Sequence, residues 1–291
     1  MTETGSTVPR RQVGRLLKQL REQAGVSLMG AAEELEFSRA RMYRIEKGEV
    51  AVRKHDVIAM CGVYRATPRM TEVLIGLAHE SKAKGWWHAY GDVVPAWFEL
   101  YVGMEQAASR LRSFAPSVIP GLLQTAEYAD WIFRKWIGDD EPAVRNAVGM
   151  RLERQSLLTR TRPGAPDLEV LIDEGVLRRS VPDTLGMQRQ LAHLVNVSTR
   201  PNVSVRVIPF AAGPHKAASS GQFTILEFPA VGTASPEPTT IYCENLTGAL
   251  YLDKLAEVQT YESIWGELES VALGQAESDD LIATIIKESD D

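Results

Sequence analysis

Between Arg10 and Gly48 the chain starts a helix three times, with gaps of only a few residues. Val13, Leu16, Leu17 and Leu20 stand at i, i+3, i+4 and i+7, so they share one face of a helix over Arg10 to Ala24. Lys18, Arg21 and Glu22 lie off that stripe. Gly25 closes the helix where a left-handed residue is wanted, and Ser27 opens the next as N-cap. Leu28, Ala31, Ala32 and Leu35 repeat the apolar spacing. After a break at Glu36–Phe37, Ser38 caps a third helix that Gly48 ends. Met42 and Ile45 point to one side of it, while Arg39, Ala40, Tyr43 and Arg44 cluster on the other.

Two short helices joined by a turn, the second with a small and basic outer face, make a helix-turn-helix. In that motif the second helix enters the major groove and its first turn meets base edges. Arg39 and Arg44 can each fork onto O6 and N7 of guanine, and Ala40 can touch a thymine methyl. Arg41 sits at the edge of the face, suited to phosphate. A basic helix face that is merely solvated remains the alternative on this pattern alone. Val57, Ile58, Met60, Cys61, Val63 and Tyr64 supply a fourth helix. Thr67-Pro68 opens a fifth, as N-cap and N1.

Charge is divided along the chain. The whole is −6 at pH 7, but residues 1–70 hold thirteen lysines and arginines against eight acids, a net of +5. The rest holds nineteen against thirty, a net of −11. A basic head on an acidic body suggests a nucleic-acid module joined to something else. A length of 291 residues fits about two domains. The expected division is an all-α five-helix domain over 1–80 and an α+β domain over 81–291, ending in an acidic tail.

The body alternates helices and strands. Strands are expected at Leu168–Asp173, Val203–Ile208, Phe223–Phe228 and Thr240–Glu244, a small sheet of about four. Helices are expected over Met104–Arg112, from near Gln124, over Arg145–Arg162, Asp183–Thr199 and Leu252–Ala272, and in part of the tail. Arg151, Arg154 and Arg160 read as a solvated face, with a second nucleic-acid contact as the rival reading. The overall class is α+β.

The chemistry of an enzyme is missing from this pattern. There is no glycine-rich phosphate loop, no HExxH, no GxSxG and no metal-ligand cluster, so no catalytic residue, metal or cofactor is expected. Asp173 and Glu174 are adjacent on an extended segment and face apart. His215, in the Gly213-Pro214-His215 loop, is a ligand candidate, although a lone loop histidine is more often incidental. The aromatic stretch with Trp86, Trp87, Tyr90 and Trp97 is a candidate partner or ligand surface, or else an anchor between domains. Cys61 and Cys243 read as small buried hydrophobes. No apolar leader and no run of membrane-spanning length occurs, so the cytoplasm is the expected location.

The run from Arg15 and Leu20-Arg21 through Ser27–Leu35 to Ser38-Arg-Ala-Arg-Met-Tyr-Arg-Ile-Glu-Lys-Gly48 resembles the phage-repressor and Cro type of helix-turn-helix. The resemblance implies base contacts at Arg39, Ala40 and Arg44, with Tyr43 beside them. It implies phosphate contacts around Ser27 and Leu28, with Arg41 and Lys47 flanking. Leu28 stands where that family often has Gln, and Glu36 where the turn usually has Gly. A Glu there implies a strained or altered turn.

Gly85-Trp-Trp, Tyr90-Gly-Asp with Trp97-Phe98, Pro120-Gly-Leu-Leu-Gln-Thr125, Arg200-Pro-Asn-Val-Ser204 and Val207-Ile-Pro-Phe210 resemble a second group. These are actinobacterial regulators with a Cro-type head and a shared C-terminal domain, including streptomycete developmental regulators described as antitoxin-like. That likeness implies a DNA-binding transcriptional regulator whose body meets a small protein encoded nearby. An operator read by one short helix further implies a homodimer. The alternative is an antitoxin-like module that sequesters a protein, with autoregulatory DNA binding second.

Overall fold

Five helices form at the N-terminus of the computed structural model: α1 (Thr7–Gln23), α2 (Leu28–Glu34), α3 (Arg39–Glu46), α4 (Lys54–Val63) and α5 (Pro68–Glu80). The structure describes residues 7–80, 96–179, 181, 183–230, 236–245 and 248–289. The chain divides into two units, Met1–Ala89 with Glu99–Ala107 and Pro229–Glu237, and Tyr90–Phe98 with Ala108–Phe228 and Pro238–Asp291. No helix among the described residues is long and apolar enough to cross a membrane.

In the first unit the expected caps are in place. Ser27 Oγ accepts from Gly30 N at 3.0 Å, Ser38 Oγ from Arg41 N at 3.1 Å, and Thr67 Oγ1 from Met70 N at 3.3 Å. The stripes of α1, α2 and α3 converge on Leu17, Ala31, Met42 and Ile45, which are buried with Val57 and Met60 of α4 and Leu74 of α5. Main chain meets main chain where α1 crosses the end of α3. A methyl at Gly14 would collide with Ile45 O and lie 2.8 Å from Glu46 O; one at Gly48 would lie 2.6 Å from Arg11 Cα. Gly48 and Gly25 both take φ of +70°, which a side chain disfavours. Glu36 occupies the turn between α2 and α3 at φ +54°. The altered turn is therefore a left-handed turn carried by a non-glycine residue.

The second unit carries a six-stranded mixed sheet. Its strands are β1 (Arg110–Ala115), β2 (Asp167–Asp173), β3 (Val203–Ile208), β4 (Phe223–Glu227), β5 (Thr240–Asn245) and β6 (Gly248–Leu252), in the order β3-β2-β1-β4-β5-β6. β1, β2 and β3 are parallel; β4, β5 and β6 add on antiparallel. The parallel strands are joined through helices α7 (Ala126–Ile137) and α8 (Glu141–Gln155), then α9 (Glu174–Leu177) and α10 (Thr184–Val197), because parallel neighbours need a crossover. Val170, Leu171 and Ile172 of β2 are all buried, as in a strand covered on both faces. Against one face α11 (Leu255–Val271) sets Trp265 and Leu268 on Phe114, Phe223, Ile225 and Ile241. The chain closes with α12 (Gln275–Glu288).

Three expectations are corrected here. The helix expected over Met104–Arg112 ends earlier, as α6 (Ala96–Ala107), and Arg110 and Arg112 lie on β1. Their charges are matched across the sheet rather than solvated: Arg110 Nε meets Glu169 Oε1 at 2.6 Å, and Arg112 meets Glu262 and Glu227. β1 and β6 are strands beyond the four expected, so the sheet has six strands among the described residues and not about four. Arg151 and Arg154 of α8 are not a solvated face, and Arg160, half-buried beyond the end of α8, donates from Nε to Gly164 O at 3.0 Å. Arg154 is buried, while Arg151 stacks over Phe133 at 4.4 Å and donates to Gln124 Oε1 at 2.6 Å.

That last bond belongs to a set built around the Pro120–Thr125 segment. Gln124 Nε2 donates to Ile119 O, Gln155 Nε2 to Gln124 O, and Gln190 both accepts from Thr125 N and donates to Leu123 O. Three glutamines thus satisfy the main chain of a largely buried stretch that holds one short 3-10 turn, Gly121–Leu123.

Candidate nucleic-acid interface

α3 is fixed on three sides and open on the fourth. Met42 and Ile45 are buried beneath it, and Ser38 caps its start. Its end is held by Glu46, which takes Arg21 of α1 in a forked pair: Nε to Oε1 at 2.6 Å and Nη2 to Oε2 at 2.9 Å. Arg21 Nη1 also donates to Val26 O at 2.9 Å, so one guanidinium ties α1, the α1–α2 turn and α3 together. Glu46's hydrogen bonds raise the Arg21 guanidinium above its ordinary range, against the pull of burial.

The open side carries Arg39, Ala40, Tyr43 and Arg44, all exposed. Tyr43 keeps 52 % of its surface accessible, and Lys47 Nζ lies 5.8 Å from its ring centre. Neither Arg39 nor Arg44 makes an ion pair among the described residues. Several other arginines of the head are paired. Arg21 is taken by Glu46, Arg41 by Asp56, and Arg15 by Glu237 at 2.7 Å, with Arg11 at 3.5 Å from the same oxygen. On α3 itself the charge without an ion pair among the described residues therefore lies at Arg39 and Arg44 on the outer face and at Lys47 just after it, and elsewhere in the head Arg53, Lys54, Arg65 and Arg69 are likewise exposed.

The expected phosphate residues fall around this face in different states. Ser27 is exposed and its oxygen caps α2. Leu28 is half-buried against the core, so it faces outward only with its main chain. Arg41 is held twice: its Nη2 donates to Asp56 Oδ2 at 2.7 Å, and its guanidinium lies 3.8 Å from the Phe37 ring centre. Its side chain keeps 45 % exposure, so the remaining N–H groups stay open to solvent. Asp56, Phe37 and Glu46 are the residues the sequence reading missed. The only signal of Asp56 and Glu46 was charge of opposite sign at positions too far apart for helical spacing, and Phe37 gave none.

Of the candidates in the body, His215 is the one whose side chain the structure describes. Trp86, Trp87 and Tyr90 lie outside the described residues, as does the side chain of Trp97. His215 is half-buried and meets Phe114 edge-on at 5.8 Å. No group of three His, Cys, Asp or Glu that could hold a metal occurs among the described residues.

Residues 12–74 match the family model described as a helix-turn-helix domain. With the exposed basic face of α3, that makes the chain a DNA-binding helix-turn-helix regulator. No curated protein and no solved structure matches the chain significantly. Residues 98–284 match a second family model, described as a domain of unknown function. Because this match takes in more than half of the sequence, the chain belongs to the family defined by that domain, DUF5753.

Proposed function

We propose that this chain is a sequence-specific transcriptional repressor. In this reading Arg39 and Arg44 fork onto guanines, while Ala40 and Tyr43 contact neighbouring bases. Ser27, the main chain at Leu28, Arg41 and Lys47 meet phosphate. The observation that carries it is the pair of uncompensated arginines on the exposed face of a helix whose other sides are fixed. One eight-residue helix reads few base pairs, so two copies act on two half-sites. The unit holding the DUF5753 match receives the signal, with a small protein encoded nearby as the partner and the aromatic stretch and His215 as candidate contacts. The resemblance to actinobacterial regulators, a cytoplasmic location and the lack of a cofactor belong to the same reading.

An antitoxin-like role, with sequestration of a protein as the main act, is favoured by apolar surface on the second unit. Trp136 is 58 % exposed and Phe210 61 %, large exposures of the kind that mark protein contacts. Genome-wide mapping of the tagged chain separates the two. The repressor reading expects many sites sharing a two-fold motif. Occupancy confined to the chain's own promoter favours sequestration, and no enrichment at all removes the DNA reading.

Arg41 and Asp56 give a narrower test. Asp56 and Phe37 hold the Arg41 guanidinium in place, so Arg41→Ala is expected to weaken binding to any duplex alike. It should reduce the slope of log K against log salt by about 0.9, the value for one phosphate contact. Asp56→Ala should weaken binding in the native background and do little once Arg41 is gone. Tighter binding in Asp56→Ala would mean that the carboxylate repels DNA and withholds Arg41.

A further inference from the structure

Glu237 is a carboxylate held inside the first unit, although the chain supplies it from between β4 and β5, 222 positions beyond Arg15. Its side chain has no exposed surface. A buried carboxylate is costly unless opposite charge and hydrogen bonds compensate it. Two arginines of α1, one turn apart, do so. Arg15 Nη2 donates to Glu237 Oε1 at 2.7 Å, and Arg11 Nε lies 3.5 Å from the same oxygen. Arg11 is held again by α6, where its Nη1 donates to Met104 Sδ at 3.7 Å.

The same turn of α1 carries the main-chain contact with the recognition helix. Gly14 lies against Ile45 O and Glu46 O, and Gly48 lies against Arg11 N and Cα. Both approaches are too close to admit a methyl group, so the last turn of α3 moves only with α1. Arg11 is therefore touched from two sides: its main chain meets Gly48, and its guanidinium meets Glu237 and Met104. Arg44 projects from the last turn of α3. The first turn, with Arg39, has its own supports in the Ser38 cap and in Met42 within the core.

We infer that Glu237 is a positioning residue for DNA recognition. Through Arg11 and Arg15 it holds α1, and through α1 it holds the turn of α3 from which Arg44 reaches a base. The inference rests on the assignment of Arg44 to a base. It also means that the DNA-binding unit is completed by a residue far outside the helix-turn-helix match at 12–74. A buried ion pair is a poor source of stability, since apolar residues of similar volume serve as well; what it fixes here is place. Glu237 cancels positive charge too, but that effect acts on phosphate and so on every duplex alike. A displaced Arg44 costs affinity for the cognate sequence alone. The ratio of affinities for cognate and shuffled duplex therefore reads the geometry and not the charge.

The test uses the full chain and two duplexes of equal length, the strongest site from genome-wide mapping and a shuffled version of it, with binding followed by fluorescence anisotropy well below the melting temperature. Glu237→Gln keeps the shape and removes the charge. It should lower the ratio about tenfold, within the range that one arginine–guanine pair commands. In an Arg44→Ala background it should lower the ratio by less than about twofold, whereas in an Arg39→Ala background the full effect of about tenfold should return. Arg15→Gln leaves Arg11 to hold Glu237 and should lower the ratio about threefold; it decides the question if Glu237→Gln does not fold. A merely structural loss removes active protein and weakens both duplexes alike, so it leaves the ratio where it was. A ratio unchanged in both variants overturns the proposal, and so does an equal loss in the Arg44→Ala and Arg39→Ala backgrounds. Tighter binding of both duplexes at a constant ratio also overturns it, making Glu237 a neutraliser of charge only. A native chain that does not tell the two duplexes apart removes the assignment of Arg44 itself, and this inference with it.

Discussion

Arg39→Ala combined with Arg44→Ala is expected to remove most of the discrimination between the operator and unrelated duplex. Each forked arginine–guanine pair is worth about 1–3 kcal/mol against the wrong base. Taken as additive, the double variant loses about 2–6 kcal/mol, or roughly thirtyfold to twenty-thousandfold in the specificity ratio. Stability should hardly change, since both side chains are exposed and neither has an ion-pair partner among the described residues. Non-specific binding falls only by the phosphate attraction lost with two charges. Lysine at the same positions keeps the charge but not the planar fork, so it should restore non-specific affinity and leave discrimination low. An unchanged electrophoretic shift of an operator-bearing fragment by the double variant would remove α3 from the recognition role.

This face could be read from sequence because everything that builds it is local. The 3.6-residue spacing of Val13, Leu16, Leu17 and Leu20, the caps Ser27 and Ser38 and the stop at Gly48 all act within a few positions of themselves. What restrains the face is not local. Asp56 reaches Arg41 over 15 positions, Glu46 reaches Arg21 over 25, and Glu237 reaches Arg15 over 222. A formal +5 counts these arginines equally; the fold pairs several of them and leaves Arg39 and Arg44 exposed on the outer face of α3. Unit 1 likewise takes in Glu99–Ala107 and Pro229–Glu237, which no pattern in residues 1–80 announces. In the body the same limit explains β1. Leu111 and Phe114 with Arg110 and Arg112 fit a helical stripe as well as a strand, and only Glu169, Glu227 and Glu262 on other elements decide for the strand. β6 fails differently, for five apolar residues run into a helix without a turn signal strong enough to separate them.

The pair that sets the angle of α3 should also give the largest loss of stability. Breaking a buried ion pair from one side costs about 3–5 kcal/mol, because the remaining charge stays desolvated. Glu46→Ala leaves Arg21 with Val26 O and with Glu22, whose carboxylate is 3.6 Å away and exposed. The loss therefore falls toward the lower end, about 3 kcal/mol, which for a domain of this size lowers Tm by more than about 10 °C. Glu46→Gln keeps an acceptor for one N–H and should lie between. Replacing both partners together, Arg21→Met with Glu46→Leu, should recover most of the stability, because no charge is then left buried. Recovery of stability need not bring recovery of DNA binding. The forked pair also fixes where the last turn of α3 sits, and Arg44 projects from that turn. A double variant that melts like the native chain yet discriminates poorly between duplexes would separate the two roles of the pair. Equal melting of Glu46→Ala and the native chain would mean that the close approach of α1 and α3 at Gly14 and Gly48 holds the recognition helix without it.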